Sequence, residues 1–103
     1  MGEHPESLEI EIREELYILR LFVTGASPNS TRAIANLKII LEDYLKGNYE
    51  LEIIDIYQQP EKAQSEQIIA LPTLIKKSPG QERRLIGDMS NTEKVLRGLE
   101  INA

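Results

Sequence analysis

Cysteine is absent from these 103 residues, and with it go disulfides, thiolate nucleophiles, iron–sulfur clusters and most structural zinc sites. Whatever the chain does, it does not do thiol chemistry. Tryptophan is absent too and phenylalanine occurs once, so the 41% hydrophobic content is almost entirely aliphatic and the interior has to be packed from Leu and Ile. No apolar run approaches the roughly 18 to 20 residues that span a bilayer, and the first residues are acidic where a secretory leader is basic and then apolar. A cytoplasmic location with no membrane contact is the expectation. The single histidine, His4, lies near the start of the chain, so neither a His-based triad nor a His-rich metal site can be assembled. Positive charge is outweighed, 12 Lys and Arg against 17 Asp and Glu for a net charge of -5, which argues against a nucleic-acid surface because phosphate binding draws on Lys and Arg.

What is present suffices for one core and no more. Glu3, Glu6, Glu9, Glu11, Glu14 and Glu15 crowd ahead of the first apolar run, and residues 1–15 read as an acidic, mobile extension before a single domain over residues 16–103. Leu16-Tyr17-Ile18-Leu19-Arg20-Leu21-Phe22-Val23 is nearly continuously apolar and too short for a helix, as a central strand buried on both faces would be. Ser27 then offers a helix cap and Pro28 a first helical residue. Ile34, Leu37, Leu41, Tyr44 and Leu45 recur at spacings of three and four as one apolar stripe, and Lys46-Gly47 is a C-terminal stop. Tyr49 to Ile56 reads as a second strand, parallel to the first.

Pro60 opens a weaker helical stretch through Ile69, with a thin stripe of Ala63, Ile68 and Ile69. Leu71-Pro72-Thr73-Leu74-Ile75 is a short strand beginning beside a proline. Ser78-Pro79-Gly80 matches a type II turn, which makes Arg83-Arg84-Leu85-Ile86 the returning arm of an antiparallel hairpin. Ser90-Asn91-Thr92-Glu93 has the form of a capping box for a last helix that carries Val95, Leu96 and Leu99 inward and runs almost to Ala103. The order β-α-β-α-β-β-α is that of an α/β domain of thioredoxin-like type.

In such a domain the reactive loop follows the first strand, and here that place holds Ser27-Pro28-Asn29-Ser30. Serine has no appreciable ionised fraction at ordinary pH, so disulfide exchange is excluded. Two readings stay open: a plain cap and turn, or a helix N-terminus that holds an anion or a glutathione-like thiol with help from Pro72 and Ser90. Pro72 is open to a cis or a trans reading, since X-Pro bonds alone reach cis at low energy. Asp55 and Asp88 read as turn and strand-end residues, not as paired catalytic carboxylates. Arg83 and Arg84 face opposite sides of an edge strand; one blunts the edge, while the other, with Lys76 or Lys77, is suited to an acidic partner surface.

Taken in order, Tyr17 to Gly25, Ser27 to Ser30, Ala70-Leu71-Pro72-Thr73-Leu74 and Arg83 to Asn91, with Lys46-Gly47 and Glu93-Lys94-Val95-Leu96 at matching separations, resemble the KaiB family from Tyr17 to Leu99. The resemblance implies a non-enzymatic protein without cofactors or metal that binds the KaiC ATPase and modulates its phosphorylation state, displacing or sequestering KaiA where KaiA exists. A similar domain forms the sensor of a clock-output histidine kinase, but this chain resembles the free-standing protein. Two alternatives accompany it: a stress-adaptation role on another partner, and a glutathione-binding domain centred on Ser27, Ser30, Pro72 and Ser90. The family is also known for two folds, a thioredoxin-like form that binds KaiC and an often tetrameric ground state with a rearranged C-terminal half, so a dimer or tetramer is among the expectations. Tyr17 and Gly98 match positions associated with that choice. Glu100 stands where an aspartate is expected and Ala103 where a tyrosine is, the long acidic C-terminal tail is missing, and the thioredoxin-like form is the one expected here. For the partner surface the resemblance carries over Arg32, Lys76, Arg83 and Arg84.

Overall fold

The computed structural model describes residues 15–101. The expected extension over residues 1–15, His4 included, falls outside them except for Glu15. Four strands, β1 (Tyr17–Val23), β2 (Tyr49–Asp55), β3 (Thr73–Ser78) and β4 (Arg83–Ile86), form one sheet in the order β2-β1-β3-β4. β1 is parallel to β2 and antiparallel to β3, and β4 returns antiparallel along β3. Three helices complete the chain: α1 (Pro28–Leu45), α2 (Pro60–Ser65) and α3 (Thr92–Leu99). The order is the one read from the sequence, and the fold is thioredoxin-like.

Alternation along the strands divides the apolar residues between two faces. Leu19, Leu21, Val23 and Leu74 meet Ala33, Leu37, Ile40, Leu41 and Leu45 of α1 and Val95, Leu96 and Leu99 of α3 in the larger core. On the opposite face Phe22, Ile54 and Ile75 form a smaller cluster, joined by Ile56, Ala63, Ile68 and Leu71. The short α2 therefore covers only part of its side of the sheet, and that side is otherwise charged.

Several local expectations need correction. The α1 stripe is rotated: Ala33 and Ile40 are buried while Tyr44 is exposed. Buried Ser30 fixes the rotation, since its hydroxyl accepts the Thr24 N–H at 3.0 Å and so points that turn of the helix inward. The second helix stops at Ser65, not Ile69; Gln67 takes a left-handed φ of 56° and Ile69 is 93% exposed. β3 begins at Thr73 and runs on to Ser78, later and longer than the Leu71–Ile75 strand expected, because Pro72 has no N–H to place in the ladder. Leu71–Pro72 is cis, as is Ser78–Pro79; the second was not part of the type II reading, although Gly80 has the positive φ that reading required, 73°.

Ser90 does not cap the last helix. Asn91 does, its Oδ1 accepting the Lys94 N–H at 3.0 Å, while the Ser90 N–H is given to Asp88 Oδ1. The helix ends at Leu99, with Glu100 left-handed at φ 61°, short of the expected run almost to Ala103.

Candidate functional site

The loop after β1 is closed by its own hydroxyls. Ser27 Oγ accepts the Ser30 N–H at 3.2 Å and also the Thr24 hydroxyl at 3.2 Å, and Ser27 O accepts the Thr31 N–H at 2.9 Å. Pro28 opens α1 and Asn29 receives the Arg32 guanidinium. Cap and turn are thus built as the first of the two readings has them. Asp55 and Asp88 hold turns: Asp55 Oδ1 accepts from Tyr57 N at 2.8 Å, and bonds from the Ser90 hydroxyl and N–H, with Arg32 beside them, keep the Asp88 carboxyl below its ordinary range. Among the described residues no group of His, Asp and Glu could hold a metal ion, and no helix is long and apolar enough to cross a membrane.

Charge gathers instead around β3 and β4. Facing residues in the β3–β4 ladder share a side of the sheet, and Lys76 lies opposite Arg83. Both reach Glu100, Lys76 Nζ to Oε1 at 2.8 Å and Arg83 Nη2 to Oε2 at 2.8 Å, and those two bonds hold the Glu100 carboxyl below its usual range. The Lys76 side chain is 1% exposed. On the other side of the sheet Glu66, 12% exposed, gathers three cations from three strands: Lys77 Nζ at 2.8 Å, Arg20 Nη1 at 2.9 Å and Arg84 Nη2 at 3.6 Å. The Lys77 bond is the main cause that lowers the Glu66 carboxyl, aided by Arg20 and Arg84, and Glu66 in turn raises Lys77. Glu82 completes this side at 3.2 Å from Lys77 and 3.6 Å from Arg84.

The four residues carried over for partner binding therefore do not form one patch. Lys76 is enclosed, Arg83 and Arg84 are exposed on opposite sides of the edge strand, and Arg32 is bound to Asp88 at 3.4 Å beyond the far end of β4. Sequence reading missed Glu66 and Arg20 entirely, and nothing in their spacing announced that they would meet. Of Tyr17, Gly98 and Glu100, by contrast, the first and last meet, while Gly98 faces Leu85. The Tyr17 hydroxyl donates to the Glu100 carbonyl at 3.4 Å, and burial, followed by the charges of Glu15 and Glu100, raises the phenol. A Cβ on Gly98 would lie 2.3 Å from Leu85 Cδ2, so α3 seats directly on β4 there.

Sheet order, helices and serine loop together define a thioredoxin-like domain in which no redox pair is present. A family model described as the KaiB domain matches residues 20–101, and the chain belongs to the KaiB family. It is 49% identical over 90 residues to the circadian clock oscillator protein KaiB of Prochlorococcus marinus, covering 87% of this chain and 84% of that one. It is 52% identical over 84 residues to the circadian clock protein KaiB3 of a Synechocystis species, covering 82% of each. Among solved structures, the N-terminal domain of SasA from Synechococcus elongatus superposes with a TM-score of 0.68 at 20% identity over 97% of this chain and 91% of that one. The thioredoxin of Fasciola hepatica superposes equally well, TM-score 0.68 at 20% identity over 93% and 88%; at these identities both establish the fold alone.

Proposed function

We propose that this protein is a cytoplasmic, non-enzymatic clock regulator that docks in its thioredoxin-like form on a KaiC-like ATPase and biases the phosphorylation state of that ring. The observation that carries the reading is the pairing of about 50% identity to circadian clock KaiB proteins with an exposed arginine edge, Arg83 and Arg84, on a chain whose net charge is -5. Arg83 and Arg84 meet acidic groups of the partner, Arg32 adds a third contact, and Lys76 acts from inside by holding Glu100. On an otherwise acidic chain such a local cationic edge is the natural approach face for acidic groups of a partner. Where KaiA is present, docking competes with its access to the ring. Any alternative fold the chain populates lowers apparent affinity by the fraction it withholds from the binding-competent form.

The test is size-exclusion of the chain with a purified KaiC-type ring, repeated at rising salt. A stoichiometric complex that weakens with salt and is lost in Arg83→Glu or Arg84→Glu supports the reading. Undiminished binding by both variants removes the edge from the interface, and no complex with any such ring ends the proposal.

A further inference from the structure

The outer edge of β4 has no neighbour in the sheet. One hydrogen bond fixes which backbone groups stand on that edge: the Gly87 N–H donates to Pro72 O at 3.1 Å, in register with the Thr73–Ile86 and Leu74–Leu85 pairs. Bonded and unbonded pairs alternate along an antiparallel ladder, so Arg83, Leu85 and Gly87 turn their N–H and C=O toward β3. Arg84 and Ile86 turn theirs outward, where they find no partner among the described residues.

Side chains sort the same edge into two faces. Arg84 and Ile86, the latter 56% exposed, lie on the side of Glu66, and Arg83 and Leu85 on the side of α3. On the α3 side the strand runs out at Gly87, where a Cβ would meet nothing within 4 Å. Gly87 borders a cavity of about 150 Å³ walled by Leu85, Met89 and Val95, with Lys94 at its side.

Positive charge is in surplus along this edge. Lys94 has no ion pair among the described residues. Arg83 gives Glu100 only its Nη2 and Arg84 stands 3.6 Å from both Glu66 and Glu82, so each guanidinium keeps donors for a further carboxylate. The other edge of the sheet, β2, displays Glu50, Glu52 and Asp55 and repels an acidic strand.

We infer that β4 receives an extended acidic segment of a partner protein as a fifth, antiparallel strand, anchored by one aliphatic side chain in the cavity over Gly87. Register dictates the sequence of that segment, since facing residues share a side of the sheet. The anchor lies opposite Gly87. An apolar residue follows opposite Ile86 and bonds to its outward N–H and C=O, and the next residue faces Leu85. Two carboxylates come after it, opposite Arg84 and Arg83. Glu82 ends the acidic stretch, because a third carboxylate would face a like charge. Antiparallel addition wins over parallel addition because its hydrogen bonds run straight across between the strands.

The inference rests on the arginine edge of the reading above but not on the ring, and its test needs only the whole chain and a synthetic peptide. The probe is Ser-Thr-Leu-Val-Thr-Glu-Glu-Ser, acetylated and amidated, with Leu as the anchor. An NMR titration should show saturable binding. Hydrogen-exchange protection should be gained at the Arg84 and Ile86 amides and not at Leu85, whose N–H is already bonded to β3. Arg84→Glu should weaken binding about tenfold, since attraction turns to repulsion. Methylation of the Val nitrogen of the peptide, which donates to the Ile86 carbonyl, should abolish binding with the protein untouched, and the reversed peptide should bind at least about tenfold more weakly. No binding at millimolar peptide, binding indifferent to the methyl group, protection at β2 in place of β4, or an edge already filled by a second copy in light scattering overturns the inference. A chain that binds the ring and ignores the peptide overturns it alone; one that binds the peptide and ignores every ring supports it and overturns only the ATPase reading.

Discussion

Lys76 Nζ lies 2.8 Å from Glu100 Oε1, and of the two side chains only that of Glu100 reaches water, 43% exposed against 1%. The ion pair thus has a wet end and a dry end, and removal of either partner has a different result. Glu100→Gln leaves an enclosed ammonium without its counter-charge, the strongly destabilising way to break such a pair. Arg83→Gln leaves Lys76 paired. In urea titrations the midpoint of Glu100→Gln should fall well below that of Arg83→Gln, and adding Lys76→Met to Glu100→Gln should restore most of the loss. Equal midpoints for the two single variants would show that Lys76 does not depend on Glu100.

Glu66 should make stability fall in acid. Its carboxyl is held down chiefly by the Lys77 bond and further by Arg20 and Arg84, so the folded state binds its proton less readily than the unfolded chain does. The sign is that of a depressed carboxylate: the contribution is complete above the unfolded value of about 4.3 and disappears as pH falls through the lower folded value. Denaturant midpoints between pH 7 and pH 3 should drop more steeply in the wild type than in Glu66→Gln, whose curve begins lower and is flatter. Parallel curves would show that the three-cation contact contributes nothing.

At Gly98 α3 packs directly on Leu85 of β4. A larger side chain at this position has to displace Leu85, and overpacking of this kind costs about 1–3 kcal/mol. Gly98→Leu should therefore lower thermal stability, and Leu85→Ala in the same chain should return part of the loss, a coupling that a double-mutant cycle reads directly. Additivity of the two changes would place the cost elsewhere.

The serine loop is predicted to act as scaffold. Ser27→Ala removes the α1 cap at a cost of about 1 kcal/mol. Ser30→Ala leaves the Thr24 N–H without its acceptor beside the core, about 1–3 kcal/mol. Chemical denaturation should place Ser30→Ala as the more damaging of the two, and binding to a KaiC-type ring should survive both at temperatures where they stay folded. Loss of binding by folded Ser27→Ala would instead put the loop in the interface.

Element order, the parallel pair and the terminal hairpin were legible because each depends on local signals: the apolar run of β1, the Ser27-Pro28 entry to α1, and Pro79-Gly80 between two strands. Details set by tertiary contact were not. Ser90 and Asn91 are equally good caps in sequence, and in the fold Asn91 takes the role through its Oδ1 while Ser90 is turned to Asp88. Ile40 displaces Tyr44 from the buried stripe because Ser30, a polar residue that periodicity discounts, sets the rotation of α1. Glu66 was invisible for a similar reason: its three cations come from β1, β3 and β4, up to 46 residues away along the chain. Lys76 looked like an exposed contact because nothing local reveals that a left-handed residue eight positions from the start of α3 turns a carboxylate back over it.

The unequal clothing of the two sheet faces carries over into motion. α2 contributes no buried residue, and the cluster beneath it contains three buried side chains, whereas α1 and α3 are anchored by rows of them. Amides between Gln59 and Leu71 should therefore exchange with solvent through small local openings long before those of β1 or α1. A proteolytic nick would fall first in that span, and the rest of the domain would outlast it.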